Sequence, residues 1–133
     1  MTNKSKKILS EISAGELLDK ISILEIKLHK IKDEDSRKEI IKEYDALKEV
    51  KNLNVNLTIE IEHLFKEIKE VNLNLWNIED QIRICEKNKN FGQEFIDLAR
   101  NVYLNNDKRA KIKSEINKRL GSNIKEIKQY VEY

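Results

Sequence analysis

The sequence predicts an all-α fold, an antiparallel helical bundle or set of coiled-coil-like hairpins built around one long central helix. Three observations carry this expectation. Leu57, Ile61, Leu64, Ile68, Val71, Leu75, Ile78, Ile82 and Cys85 are spaced alternately four and three apart. An apolar repeat of 3.5 residues sustained over that length makes a helix whose stripe must be covered by other helices. The 133 residues include no proline, whereas average usage of about 5% would supply roughly seven. With 38% charged and 39% hydrophobic residues, the chain reads as long amphipathic helices rather than as disorder.

The first helix is announced by Ser13 and Glu16, a capping box in which each side chain can satisfy the other residue's free amide. Its stripe is Leu17, Ile21, Leu24, Leu28 and Ile31, and Ile23 and Ile26 widen it, so this helix should touch more than one neighbour. A second box, Ser36 with Glu39, opens helix two after the charged turn of residues 32–35, with Ile40, Tyr44, Leu47 and Val50 facing inward. The alternation of Leu53, Val55, Leu57, Ile59 and Ile61 resembles a strand, yet no second strand signal exists to pair with it, and an isolated strand leaves its backbone unsatisfied. Asn52, Asn54 and Asn56 instead mark a connection, after which the long helix runs to about Asn88; one helix spanning both segments is the alternative. Asn90 is expected to cap helix four, with Gln93 at its third position. That helix carries Phe95, Ala99, Val102, Tyr103, Ala110, Ile112, Ile116 and Leu120, with a kink at residues 104–106. Gly121 ends it, and Ser122 starts a short terminal helix with Ile124, Ile127 and Val131 on one side. All three glycines, Gly15, Gly92 and Gly121, fall near expected helix ends, where backbone freedom costs least.

A chain of this length makes about one domain, expected at residues 13–133 behind a flexible N-terminal segment, residues 1–12. The single cysteine, Cys85, excludes an internal disulfide and suggests a reducing compartment. Lys4, Lys6 and Lys7 are not followed by an apolar run long enough for a signal peptide, and no stretch approaches a membrane span. A cytoplasmic location without membrane contact is expected. The formal charge of +2 does not call for nucleic acid. Residues 54–98 are net acidic and residues 100–133 net basic, but that basic face lacks the clustered aromatics of a nucleic-acid surface.

No motif specifies a reaction. Glu60 and His63 have the Glu-x-x-His spacing of di-iron bundles, but His63 falls off the seam and no second such pair exists. Glu67, Glu70, Glu79 and Asp80 suggest the carboxylate clusters that hold magnesium in helical pyrophosphatases, yet their spacing does not put all four on one face. No phosphate loop, Cys-x-x-Cys pair or nucleophile elbow is present. No metal and no cofactor are expected.

A denser constellation lies between residues 72 and 113. Phe65, Asn72, Trp76, Glu79, Arg83 and Glu86 make a second stripe beside the seam. It should face helix four, which offers Arg100, Tyr103, Asn106, Asp107, Arg109 and Lys113. Arginine usage sharpens the point, because the chain has 21 lysines and only five arginines, three of which are Arg83, Arg100 and Arg109. A planar guanidinium is needed where a carboxylate or phosphate must be gripped by two parallel bonds. The preferred reading is internal bridges to Glu79, Asp80, Glu86 or Asp107 that fix helix register; the alternative is a pocket for an anionic ligand. The candidate polar cluster is therefore Trp76, Glu79, Asp80, Arg83, Arg100, Tyr103, Asn106, Asp107 and Arg109.

Several blocks of this sequence also look familiar: Gly15-Glu16-Leu17-Leu18-Asp19-Lys20-Ile21, Ile23-Leu24-Glu25-Ile26-Lys27, Leu75-Trp76-x-Ile78-Glu79-Asp80-x-Ile82-Arg83, Phe95-Ile96-x-Leu98-Ala99-Arg100-x-Val102-Tyr103, Asn106-Asp107-x-Arg109-Ala110 and Gly121-Ser122. Together they resemble an uncharacterised family of small all-helical bacterial and phage proteins, some fused to or encoded near glycan-synthesis enzymes. The resemblance covers roughly residues 13–133, outside residues 32–64, and the Trp76-to-Asp107 block is its most specific part. It implies one complete domain and supplies no reaction. The expected role is a helical interaction or assembly module acting as a homodimer, with self-association first among its partners and another protein possible, and not an enzyme. The alternative is a ligand-binding or enzymatic helical bundle with an anion site, for a phosphate or sugar acid, between the long helix and the helix after Asn90.

Overall fold

The computed structural model describes residues 6–133, and these contain four α-helices and no strand: α1 (Ala14–Lys30), α2 (Glu34–Asn54), α3 (Ile59–Lys87) and α4 (Gln93–Leu120). The expected flexible segment at residues 1–12 falls partly on residues 1–5, outside the described residues; residues 6–13 carry no helix. No helix among the described residues is long and apolar enough to cross a membrane.

The helix starts use short polar side chains, though not always those the sequence singled out. Ser13 caps α1, its Oγ accepting from the Glu16 amide at 3.1 Å. The reciprocal half of the box does not form, because the Glu16 carboxylate accepts from Lys113 Nζ at 2.7 Å instead. Helix α2 begins earlier than expected. Asp33, not Ser36, is its cap, and the Asp33 carboxylate accepts from both the amide and the hydroxyl of Ser36, at 2.9 and 2.7 Å. These bonds hold the Asp33 carboxyl below its ordinary pKa. Among the described helices, α2 packs chiefly on α1 and buries no residue fully, although Tyr44 and Leu47 lie against the core.

Residues 36–88 form two helices, not one. Thr58 caps α3 through its hydroxyl, which accepts from the Ile61 amide at 3.2 Å. Leu57 lies in the link and is exposed, so the covered seam starts at Ile61. Helix α4 has Gly92 at its cap position with no side-chain cap. Asn90 shapes the turn before it, its Oδ1 accepting from the Gly92 amide at 3.2 Å, and Lys89 takes a positive φ there. The kink expected at residues 104–106 is absent, and α4 is continuous. Gly121 closes it in the left-handed conformation, φ 61°.

The expected terminal helix does not form. Residues 122–133 fold back along α4 without helical structure. Glu126 reaches Lys113 at 2.9 Å, the Tyr133 hydroxyl donates to Asp107, and the Tyr103 and Tyr133 rings meet edge to face at 5.4 Å. A helix this short is marginal alone, and these contacts favour the extended path.

Helix α1 touches all three others, and α3 packs along α4. Leu17, Leu18, Ile21, Ile61 and Ile116 form the buried centre. Gly15 makes the close α1–α4 approach possible. A Cβ there would sit 2.6 Å from the Lys113 carbonyl oxygen, and the Gly15 amide donates to Asn117 Oδ1 at 2.6 Å. Gly15 is therefore present for proximity rather than for backbone freedom.

The seam on α3 is sealed unevenly. Ile61, Ile68 and Val71 are buried, whereas Leu75, Ile78 and Ile82 are only half-buried before Cys85 is covered again near the turn. Leu73 and Ile84, on the opposite side of α3, are exposed.

Candidate functional site

A polar layer is buried where α1, α3 and α4 meet. Helix α1 places Asp19 and Ser22 one turn apart on its inner side, both fully buried. Arg109 on α4 donates to Asp19 through Nε to Oδ1 at 2.9 Å and Nη2 to Oδ2 at 2.5 Å, the two-pronged geometry that suits guanidinium and carboxylate. Asn72 on α3 completes the layer, its Nδ2 donating to Asp19 Oδ1 at 2.9 Å and to Ser22 Oγ at 2.8 Å. The Ser22 hydroxyl donates to the Asp19 carbonyl at 2.7 Å. Hydrogen bonding to Asp19 raises the Arg109 pKa above its ordinary value, more than offsetting burial. Among the described residues no buried side-chain polar atom lacks a partner.

One turn nearer the start of α1 lies a second ion cluster. Lys113 is buried and donates to both Glu16 and Glu126. Burial alone would lower the Lys113 pKa, but these two carboxylates reverse the effect and raise it.

Beside the Asp19–Arg109 layer opens a cavity of about 340 Å³, lined by Ile23, Ile26, Asn72, Leu75, Trp76, Glu79, Asp80, Arg83 and Arg109. The sequence-derived cluster divides here. Trp76, Glu79, Asp80, Arg83 and Arg109 share this cavity. Tyr103, Asn106 and Asp107 instead line a separate cavity of about 650 Å³ between α4 and the C-terminal segment, with Tyr130 and Tyr133. Arg100 is exposed and lies against Tyr103, whose hydroxyl raises its pKa.

The arginines have other surroundings than the sequence suggested. Arg109 is locked internally, but to Asp19 rather than to Glu79, Asp80, Glu86 or Asp107. Arg83 is 79% exposed and reaches Glu79 only at 3.8 Å. Sequence reasoning missed Asp19 and Ser22 because both sit between core leucines and isoleucines of the first helix. Their position beside Leu18 and Ile21, three residues apart, was the available signal.

Among the described residues no three His, Cys, Asp or Glu side chains are grouped to hold a metal ion. Glu60 is engaged by Arg119 and His63 is exposed. Glu67 and Glu70 line a groove with Lys108 and Lys111, apart from Glu79 and Asp80.

A family model described as a family of unknown function (DUF6165) matches residues 8–132. No curated protein and no solved structure matches the chain.

Proposed function

For a chain that belongs to this family of unknown function, no activity can be carried over, and from the geometry alone we propose a helical assembly module that acts as a homodimer. The observation that carries this reading is the change in cover along one seam. Where α1 lies across α3, Ile61, Ile68 and Val71 are buried, Ile68 at 0% exposure, and Leu64 is half-buried against the core. Further along, Leu75, Ile78 and Ile82 are left half-open. A two-helix hairpin with a 3.5-residue seam is one layer thick and closes its stripe by meeting another hairpin. A second copy supplies the same repeat, and a two-fold axis makes one patch complementary to itself.

The partner hairpin would also cover Phe91, which is exposed in the turn before α4. The test is light scattering at micromolar concentration, which should return about twice the 15.8 kDa chain mass. Ile78→Glu should give a folded monomer with unchanged helix content, whereas Ile41→Glu on the exposed face of α2 should leave the dimer intact. A wild-type monomer would refute the reading, and so would a dimer that Ile78→Glu leaves untouched.

A further inference from the structure

The cavity between α1, α3 and α4 holds a combination that the dimer reading does not use. Its inner wall is fixed. Arg109 spends Nε and Nη2 on Asp19, which leaves Nη1 as a donor held in place by that grip. Asn72 commits its amide nitrogen to Asp19 and Ser22, which leaves its amide oxygen as an acceptor of fixed orientation. Both residues line the cavity. Such groups, locked by a second set of bonds, are what preorganised binding sites are made of.

The remaining lining is of two kinds. Ile23, Ile26, Leu75 and the only tryptophan, Trp76, supply apolar and aromatic walls, while Asp80 and Glu79 add carboxylates and Arg83 a second guanidinium. A purely anionic ligand would meet two carboxylates there, and a purely cationic one two guanidiniums. Like charges across a contact are strongly unfavourable. A ligand carrying both signs satisfies both sets. The volume, about 340 Å³, lies at the small end of ligand pockets, roughly 300–1,000 Å³.

We propose that this cavity binds a small zwitterion of the amino-acid type. Its carboxylate meets Arg109 Nη1 and Arg83. Its ammonium sits by Asp80, over the Trp76 face, where a cation is attracted by the ring. Its apolar side chain enters between Ile23, Ile26 and Leu75. This site shares Leu75 with the half-open seam but needs no second copy of the chain.

The experiment is calorimetric titration of the full chain with three probes of one skeleton: L-leucine, isoamylamine, which lacks the carboxylate, and N-acetyl-L-leucine, which lacks the ammonium. Inorganic phosphate and glucuronate serve as anions. L-leucine should bind more tightly than either truncated probe by about tenfold, the worth of one lost hydrogen bond to a charged group. Asp80→Asn and Arg83→Gln, both at exposed positions, should each weaken L-leucine by a similar factor while leaving the melting temperature of the free protein unchanged. The proposal is overturned if L-leucine gives no heat at millimolar concentration, if isoamylamine or an anion binds as well or better, or if the two variants bind L-leucine like wild type.

Discussion

Arg109 grips Asp19 with two parallel hydrogen bonds across the α1–α4 contact, and Asp19 is 1% exposed while Arg109 is 29% exposed. Among the described residues, a carboxylate so buried has Asn72 as its only other side-chain partner. Removing one member of a buried pair strands the other, which typically costs about 3–5 kcal/mol. Arg109→Ala should therefore lower unfolding stability by about that much in denaturant titration. Replacing both, as in Asp19→Leu with Arg109→Met, should recover most of the loss, since well-packed apolar pairs often match buried ion pairs. A double variant no more stable than Arg109→Ala would contradict this account.

Gly15 gives a prediction of opposite sign to the usual one. In a helix interior, Gly→Ala ordinarily stabilises by about 0.5–1 kcal/mol. Here the added methyl would lie 2.6 Å from a backbone oxygen of α4, so the helices must part. Gly15→Ala should destabilise by about 1–3 kcal/mol, the usual cost of overpacking, and thermal melting decides the sign.

The uneven seam predicts a gradient. Ile68 is fully buried, and Ile68→Ala should cost about 2–5 kcal/mol. Leu75 is half-open, so in dilute protein Leu75→Ala should cost well under that. Equal losses measured well below the dimer dissociation constant would show that the far half of the seam is already closed within one chain.

The C-terminal segment should respond to pH at both extremes. Hydrogen bonding to Lys113 lowers the Glu126 pKa, so its contribution is complete above the ordinary carboxylate value and is lost as pH falls through the lowered one. The hydrogen bond to Asp107 raises the Tyr133 pKa, so that contribution is complete below the ordinary tyrosine value and is lost as pH rises through the raised one. Lys113, also raised, lets go on the same alkaline side. Methyl resonances of Ile127 and Val131 should report a docked segment throughout the window between, and release near neutrality would contradict the assignment.

Much of the architecture was legible because periodicity is local information. The seam from Ile61 to Cys85, the stripe from Leu17 to Leu24, the break before α3 and the Gly121 stop all follow from spacing within one helix. What could not be read is contact between distant segments. Ser36 and Asp33 compete for one helix start, and only the fold shows that Asp33 wins. The terminal residues carry a helical pattern that loses to Lys113, Asp107 and Tyr103 on another element. Arg109 was marked as a gripping residue by its rarity among lysines, but its partner lay ninety residues away on the first helix, where no periodicity points.

That separation has a consequence for the chain as it is made. Gly15 bonds to Asn117 across 102 positions. Helix α1 thus leaves the ribosome long before the residues that cover it exist. At about 5–20 residues per second, Leu18 and Ile21 wait roughly 5–20 s for Ile116 to arrive. Until then Asp19 stays hydrated without its guanidinium, and α2, which follows at once, is the first to shield that face before α3 brings Ile61. The weakly buried second helix is then a nascent-chain escort for the first, holding Tyr44 and Leu47 against its apolar side until the last helix arrives.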